Sequence, residues 1–201
     1  MTPDVNVVIS HSEYTVLVVD DVVSNVLLLK VLLTNEKFKV ITAGNGKEAL
    51  SQAVNARPDL ILLDVMMPEM NGFEVAERLK ADPETQHIPI IFLTALNTTA
   101  DIVKGFKVGA NDFISKPFNK EELVIRVTHQ ISLIAAKRII MKQTEELRKI
   151  IMGRDKLYSV IAHDLRSPMG SIKMVLNMLI LSLPSEPVSY THLTLPTSDL
   201  V

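Results

Sequence analysis

The stretch DLILLDVMMPEMNGFEVAERLKA (Asp59–Ala81) decides the fold. It opens on an apolar run, Leu60–Leu63, that shows no polar alternation and stops at Asp64. Alternation marks a strand with one wet face, whereas a continuous run marks a parallel strand covered on both faces. Pro68 and Gly72 then serve a loop in which close backbone turns matter more than side chains. A helical segment, Gly72–Ala81, follows directly. Strand, loop and helix in that order form the repeating unit of a layered α/β protein.

The same unit recurs on both sides. TVLVVDD, FKVITAG, IPIIFLTA and NDFISKP are further Val-, Ile- and Leu-rich runs bounded by turn residues. Helical segments lie between them at about Val23–Asn35, Lys47–Asn55 and Thr98–Gly109, and a fifth begins near Asn119. Five such alternations predict a doubly wound α/β domain with a five-stranded parallel sheet over residues 15–131, after a flexible tail at 1–14. GNGKEA (Gly44–Ala49) lacks the spacing and hydroxyl of a phosphate loop and reads as a turn opening a helix.

Composition narrows the function classes. The 201-residue chain is 47% apolar, enough for a real core, and carries a net charge of −2. That balance gives no sign of a nucleic-acid or anionic-membrane partner. There is no cysteine, which excludes disulfide scaffolds, thiolate metal sites and cysteine nucleophiles. The N-terminus lacks a basic region followed by an apolar core, and MVLNMLILSL is about half the length needed to span a bilayer. The expectation is a soluble cytoplasmic protein.

In doubly wound sheets a ligand sits at the C-terminal strand ends. The first apolar run ends in Asp20 and Asp21, the third in Asp64 and the fourth in Thr94, while Lys116 follows the fifth. Each residue alone has an ordinary structural explanation, but three clustered carboxylates repel one another unless a cation neutralises them. Hard oxygen ligands in a small open site suit Mg²⁺. Lys116 and the Thr94 hydroxyl would hold the remaining oxygens of a phosphoryl group. The chemistry implied is attack by a carboxylate on phosphorus, giving an acyl phosphate.

VLVVDD, LLDVMMPEMNGFE, FLTA and DFISKPF resemble the receiver domain of two-component response regulators over about Thr15–Ile131. The resemblance implies a flavodoxin-like fold with Asp64 as phosphoacceptor and Asp20, Asp21, Asp64 and the Met66 carbonyl as metal ligands. It implies that Thr94 and Lys116 contact phosphate, that Thr94 and Phe113 act as the switch pair, and that Lys116–Pro117 is cis. Ala95, small and next to Thr94, would leave the phosphoryl group open to a partner or to water. The implied partner is a histidine kinase or a phosphotransfer protein. Haloacid-dehalogenase-type phosphatases use the same groups, but their nucleophile lies on the first strand and their acidic pair comes late. Here the adjacent acidic pair comes first.

After Asn119 the character changes. With Leu133 at heptad position a, Ala136, Ile140, Leu147, Ile150, Leu157 and Ile161 fall on a or d, and Gln143 and Arg154 interrupt the seam. At ~1.5 Å per residue the segment Leu133–Leu165 would run roughly 50 Å, too long for a small domain to cover. A coiled-coil-like connector at 132–157, dimerising the chain, is expected. DKLYSVIAHDLRSPMGSI (Asp155–Ile172) then resembles the phosphoacceptor box on the first helix of the dimerisation domain of sensor histidine kinases. That resemblance makes His163, at solvent-facing position c, a second phosphorylated residue. It makes Asp164 the acid/base carboxylate beside it, Arg166 a phosphate contact and Pro168 the point where the helix breaks or kinks. The helix expected at 158–183 would be half a hairpin, and the Ser-, Thr- and Pro-rich 184–201 reads as a disordered, foreign tail. No ATP-binding boxes are present, so the chain is expected to be a fragment of a hybrid histidine kinase that does not autophosphorylate alone. The alternative is a non-enzymatic regulator whose helix only dimerises or binds a partner.

Overall fold

The structure, a computed structural model, describes residues 10–95 and 99–182. Residues 1–9 of the expected N-terminal tail and the whole tail expected at 184–201 lie outside them. The element order is β1 (Thr15–Val19), α1 (Val23–Asn35), β2 (Lys39–Ala43), α2 (Gly46–Ala56), β3 (Leu60–Asp64), α3 (Gly72–Ala81), β4 (Ile90–Thr94), α4 (Thr99–Lys107), β5 (Asp112–Ser115) and α5 (Lys120–Ser182). All five strands are parallel, in the order β2-β1-β3-β4-β5. The predicted α/β fold class is what forms.

Side-chain parity along the strands builds two core layers. Leu17, Val19, Ile61, Leu63, Ile90 and Phe92 face Ala49 and Ala53 of α2 and Phe73, Val75, Ala76 and Leu79 of α3. Val16, Val18, Leu60, Leu62, Ile91, Leu93 and Ile114 face Leu29 and Leu33 of α1 and Leu123, Val127, Ile131 and Ala135 of α5. Both faces being covered is the reason these strands read as unbroken apolar runs. Burying side chains of this size stabilises the fold by roughly 1.5–3 kcal/mol each before entropy is counted.

Local chemistry sets the helix starts. The Asn71 side chain accepts from the Glu74 N–H at 3.0 Å while Glu74 accepts from the Asn71 N–H at 3.2 Å, a reciprocal capping box that starts α3. Asn45 caps α2 and Asn119 caps α5 in the same one-sided way, through Glu48 N–H and Glu122 N–H. Gly109, at φ 97°, closes α4 in the left-handed region that favours glycine.

The segment read as an N-terminal tail includes a 3₁₀ turn, His11–Glu13, whose His11 ring stacks on Phe38 at 4.3 Å. Tyr14, directly after it, is buried. The chain divides into two compact units between Lys142 and Gln143, and α5 contributes to both. In the first unit α5 buries Leu123, Val127, Gln130, Ile131 and Ala135. In the second unit every described residue of α5 is exposed. Pro168 does not end the helix: α5 is helical through it to Ser182. Proline fixes φ near the helical value, so the helix runs through it at the cost of one hydrogen bond and a crowded carbonyl four residues earlier. No helix among the described residues is long and apolar enough to cross a membrane.

Candidate phosphoacceptor site

Strand register brings the acidic residues together. Val19 lies opposite Leu63, so the next residues, Asp20 and Asp64, stand level at the carboxyl ends of β1 and β3. The order β2-β1-β3 makes this the point where the winding direction reverses, the place where open α/β sheets bind ligands. On the other side of β3, Asp64 pairs with Leu93 and Thr94 with Ser115, which delivers Thr94 and then Lys116 to the same edge.

The resulting cluster is compact. Ligand oxygens of Asp20, Asp21 and Asp64 all lie within 4.8 Å of one another. Parity separates the adjacent pair: Asp20 and Asp64 are buried, whereas Asp21 is exposed. Lys116 Nζ sits 2.8 Å from an oxygen of Asp20 and 2.8 Å from one of Asp64. The Lys116 N–H donates to the Thr94 carbonyl at 2.8 Å, and the Lys116–Pro117 bond is cis, as the resemblance implied. Thr94 is buried at the end of β4. Met66 is largely exposed, and its N–H donates to Asp64 at 3.3 Å. Ala95 is exposed beside Thr94.

Burial raises the Asp64 carboxyl above the ordinary aspartate value, and the hydrogen bond and charge of Lys116 offset this only in part. Burial alone would lower the Lys116 ammonium, but its hydrogen bonds to Asp20 and Asp64 prevail and raise it. Lys116 is therefore a fixed positive charge at neutral pH. Three carboxylates against one ammonium leave the pocket negative, and an all-oxygen donor set with one exposed member fits a hard divalent ion.

Two residues that hold the cluster escaped the sequence reading in these roles. Asn25 Nδ2 donates to both Asp20 oxygens at 3.1 Å, and the Val22 N–H donates at 2.9 Å. Asn25 lies in the first turn of an apolar helix, and its polarity there is the available signal. Gly72, assigned only a turn role, packs against the end of β3 itself. A β-carbon at Gly72 would lie 2.2 Å from the Asp64 carbonyl oxygen.

Phe113 is half-buried and packs among aromatic rings, 5.7 Å from Phe92 and 4.9 Å from Phe106. His163 and Asp164 belong to the second unit. There His163 Nδ1 lies 3.3 Å from an Asp164 oxygen, with both side chains mostly in solvent. Arg166 is exposed on the same helix.

Known proteins match this geometry. The response regulator receiver domain family matches residues 16–128. The response regulator PleD of Caulobacter vibrioides is 46% identical over 134 residues, covering 67% of this chain and 28% of PleD. The DNA-binding response regulator MtrA of Mycobacterium tuberculosis is 46% identical over 112 residues, covering 56% of this chain and 48% of MtrA. The chain thus spans less than a third of PleD and about half of MtrA. Among solved structures, chemotaxis protein CheY4 of Vibrio cholerae superposes with a TM-score of 0.56 at 35% identity, over 58% of this chain and 97% of CheY4. The receiver domain of sensor histidine kinase PA1611 from Pseudomonas aeruginosa holds magnesium in its active-site cleft. It is 28% identical, with a TM-score of 0.56, over 59% of this chain and 98% of its own. With its family match covering more than half the chain, this protein belongs to the response regulator receiver family of two-component signalling.

Proposed function

We propose that this chain accepts a phosphoryl group on Asp64 from a phosphohistidine of a partner histidine kinase or phosphotransfer protein. The observation that carries the reading is the acidic trio within 4.8 Å, with Lys116 bridging Asp20 and Asp64. A carboxylate oxygen of Asp64 attacks phosphorus, a P–O bond forms and the donor's N–P bond breaks. The imidazole leaves with the electron pair of that bond and takes up a proton. Asp20, Asp21, Asp64 and the Met66 carbonyl would hold Mg²⁺, which supplies positive charge to the phosphoryl oxygens. Lys116 offsets negative charge at the attacking carboxylate, and Thr94 and Phe113 respond to the modified site. A purified phosphohistidine donor should transfer its label to the wild-type chain with Mg²⁺ and not to Asp64→Asn. Transfer to Asp64→Asn at the wild-type rate would defeat the reading.

A second reading concerns Gln143–Ser182, and the His163–Asp164 pair at 3.3 Å favours it. On this reading His163 is a second phosphate station and Asp164 orients its ring. The exposed seam through Leu147, Ile150, Leu157 and Ile161 joins two copies, as in a hybrid histidine kinase. The competing role for this helix is a dimerising or partner-binding output with His163 incidental. A histidine kinase ATP-binding domain supplied in trans should label wild type and not His163→Ala. Absence of any His163-dependent label would leave the output role.

A further inference from the structure

The protein has six phenylalanines, and four of them form one connected series across the sheet's α3–α4 side. Phe73 of α3 meets Phe92 of β4 edge-on at 5.1 Å, Phe92 meets Phe113 of β5 at 5.7 Å, and Phe113 meets Phe106 of α4 edge-on at 4.9 Å. Lys104 of α4 lies over the Phe73 ring at 4.6 Å, so α4 touches the series at both ends. Buried beneath Phe113 is Gly105, inside α4.

Glycine in a helix interior costs roughly 1 kcal/mol relative to alanine, and the Gly105 backbone has no positive φ that would demand it. Space demands it instead. A β-carbon at Gly105 would lie 2.4 Å from Phe113 Cζ, 2.7 Å from its Cε1 and 3.3 Å from Phe92 Cδ2. The aromatic ring occupies the volume that any other residue's β-carbon needs.

We infer that Gly105 is a positioning residue for Phe113: its missing side chain forms the notch that admits the ring, and thereby sets how far Phe113 lies inward. This builds on the reading that Phe113 responds to phosphorylation of Asp64. With the notch open, inward Phe113 clamps α4 to β4 and β5. With the notch filled, the ring must leave, and the response at Asp64 loses its grip on α4.

The test labels the chain with 4-fluorophenylalanine, assigns the Phe113 signal with Phe113→Leu, and measures ring exposure by ¹⁹F NMR with a soluble paramagnetic probe. Wild type should show a protected Phe113 ring, and Gly105→Ala an exposed one. Beryllofluoride with Mg²⁺, as phosphoryl mimic, should deepen protection in wild type and fail to restore it in Gly105→Ala. A Phe113 ring equally protected in both proteins overturns the inference. Should Gly105→Ala unfold, the same substitution in a Phe113→Ala background decides. There it should be near neutral or raise the folding equilibrium constant by up to about fivefold, because the Phe113 clash is gone and helix propensity is set only against the 3.3 Å approach to Phe92 Cδ2. Equal harm in both backgrounds overturns the notch. Ring exposure without beryllofluoride needs no phosphoryl chemistry, so the notch can stand even where Asp64 proves not to be the acceptor.

Discussion

Asp64 holds its charge against its surroundings. Its folded-state pKa lies above the unfolded value near 3.8, so the fold binds that proton more tightly than the unfolded chain does. The stability contributed by the neutral form is fully present below 3.8 and is lost as pH rises through the folded value. Without divalent ions, Asp64→Asn should therefore be more stable than wild type at neutral pH, with a difference that shrinks in acid. Thermal melts at several pH values check this, at about 2–4 °C for each kcal/mol in a chain of this size. Mg²⁺ at a hundred times its dissociation constant should add about 2.7 kcal/mol to wild type and much less to the variant. Asn25 acts through Asp20: with both its N–H contacts gone, Asn25→Ala should weaken Mg²⁺ binding by about tenfold or more, measured by titration calorimetry. Asp20, Asp21, Asp64, Thr94 and Lys116 were legible as a set because each ends or follows an apolar run. That Asp20 is buried and Asp21 exposed depends on strand parity and on the residue opposite, which the runs alone do not show.

Among the elements, the five strands lie inside the apolar runs read for them, and the helices Val23–Asn35 and Gly72–Ala81 match their predicted bounds. Pro168 shows where local rules stop. Local rules read a proline as a break or kink, yet the turn is exposed among the described residues and α5 stays helical through it. Pro168→Ala should slow amide exchange in the flanking turns, since proline costs a helix interior about 3 kcal/mol. Unchanged exchange there would mean that the turn pays no such penalty. The heptad read from Leu133 also changes toward the end. Asp164, Pro168 and Ser171 fall on its d, a and d positions, while Leu165, Met169, Ile172, Leu176 and Leu179 repeat with their own four-three spacing one residue later. The role of Gly105 was illegible because its reason is a ring contributed by a different element, β5.

At the scale of the molecule, the two units differ in how their apolar residues are covered. The receiver buries Leu, Ile or Val of β1, β3, β4 and β5, whereas Leu147, Ile150, Leu157 and Ile161 of the second unit are all more than 40% exposed. Exposed apolar residues at heptad spacing gain by pairing with a second copy. Sedimentation equilibrium should show a dimer that Ile150→Asp converts to monomer without changing the receiver's phosphorylation. Radiolabelled acetyl phosphate with Mg²⁺, added to the purified chain, tests whether Asp64 is the phosphoacceptor. Incorporation of one label per chain is predicted, stable in acid and released by base or hydroxylamine, lost on chelation of Mg²⁺ and absent from Asp64→Asn. A label that persists in Asp64→Asn, or none in the wild-type protein, would contradict it.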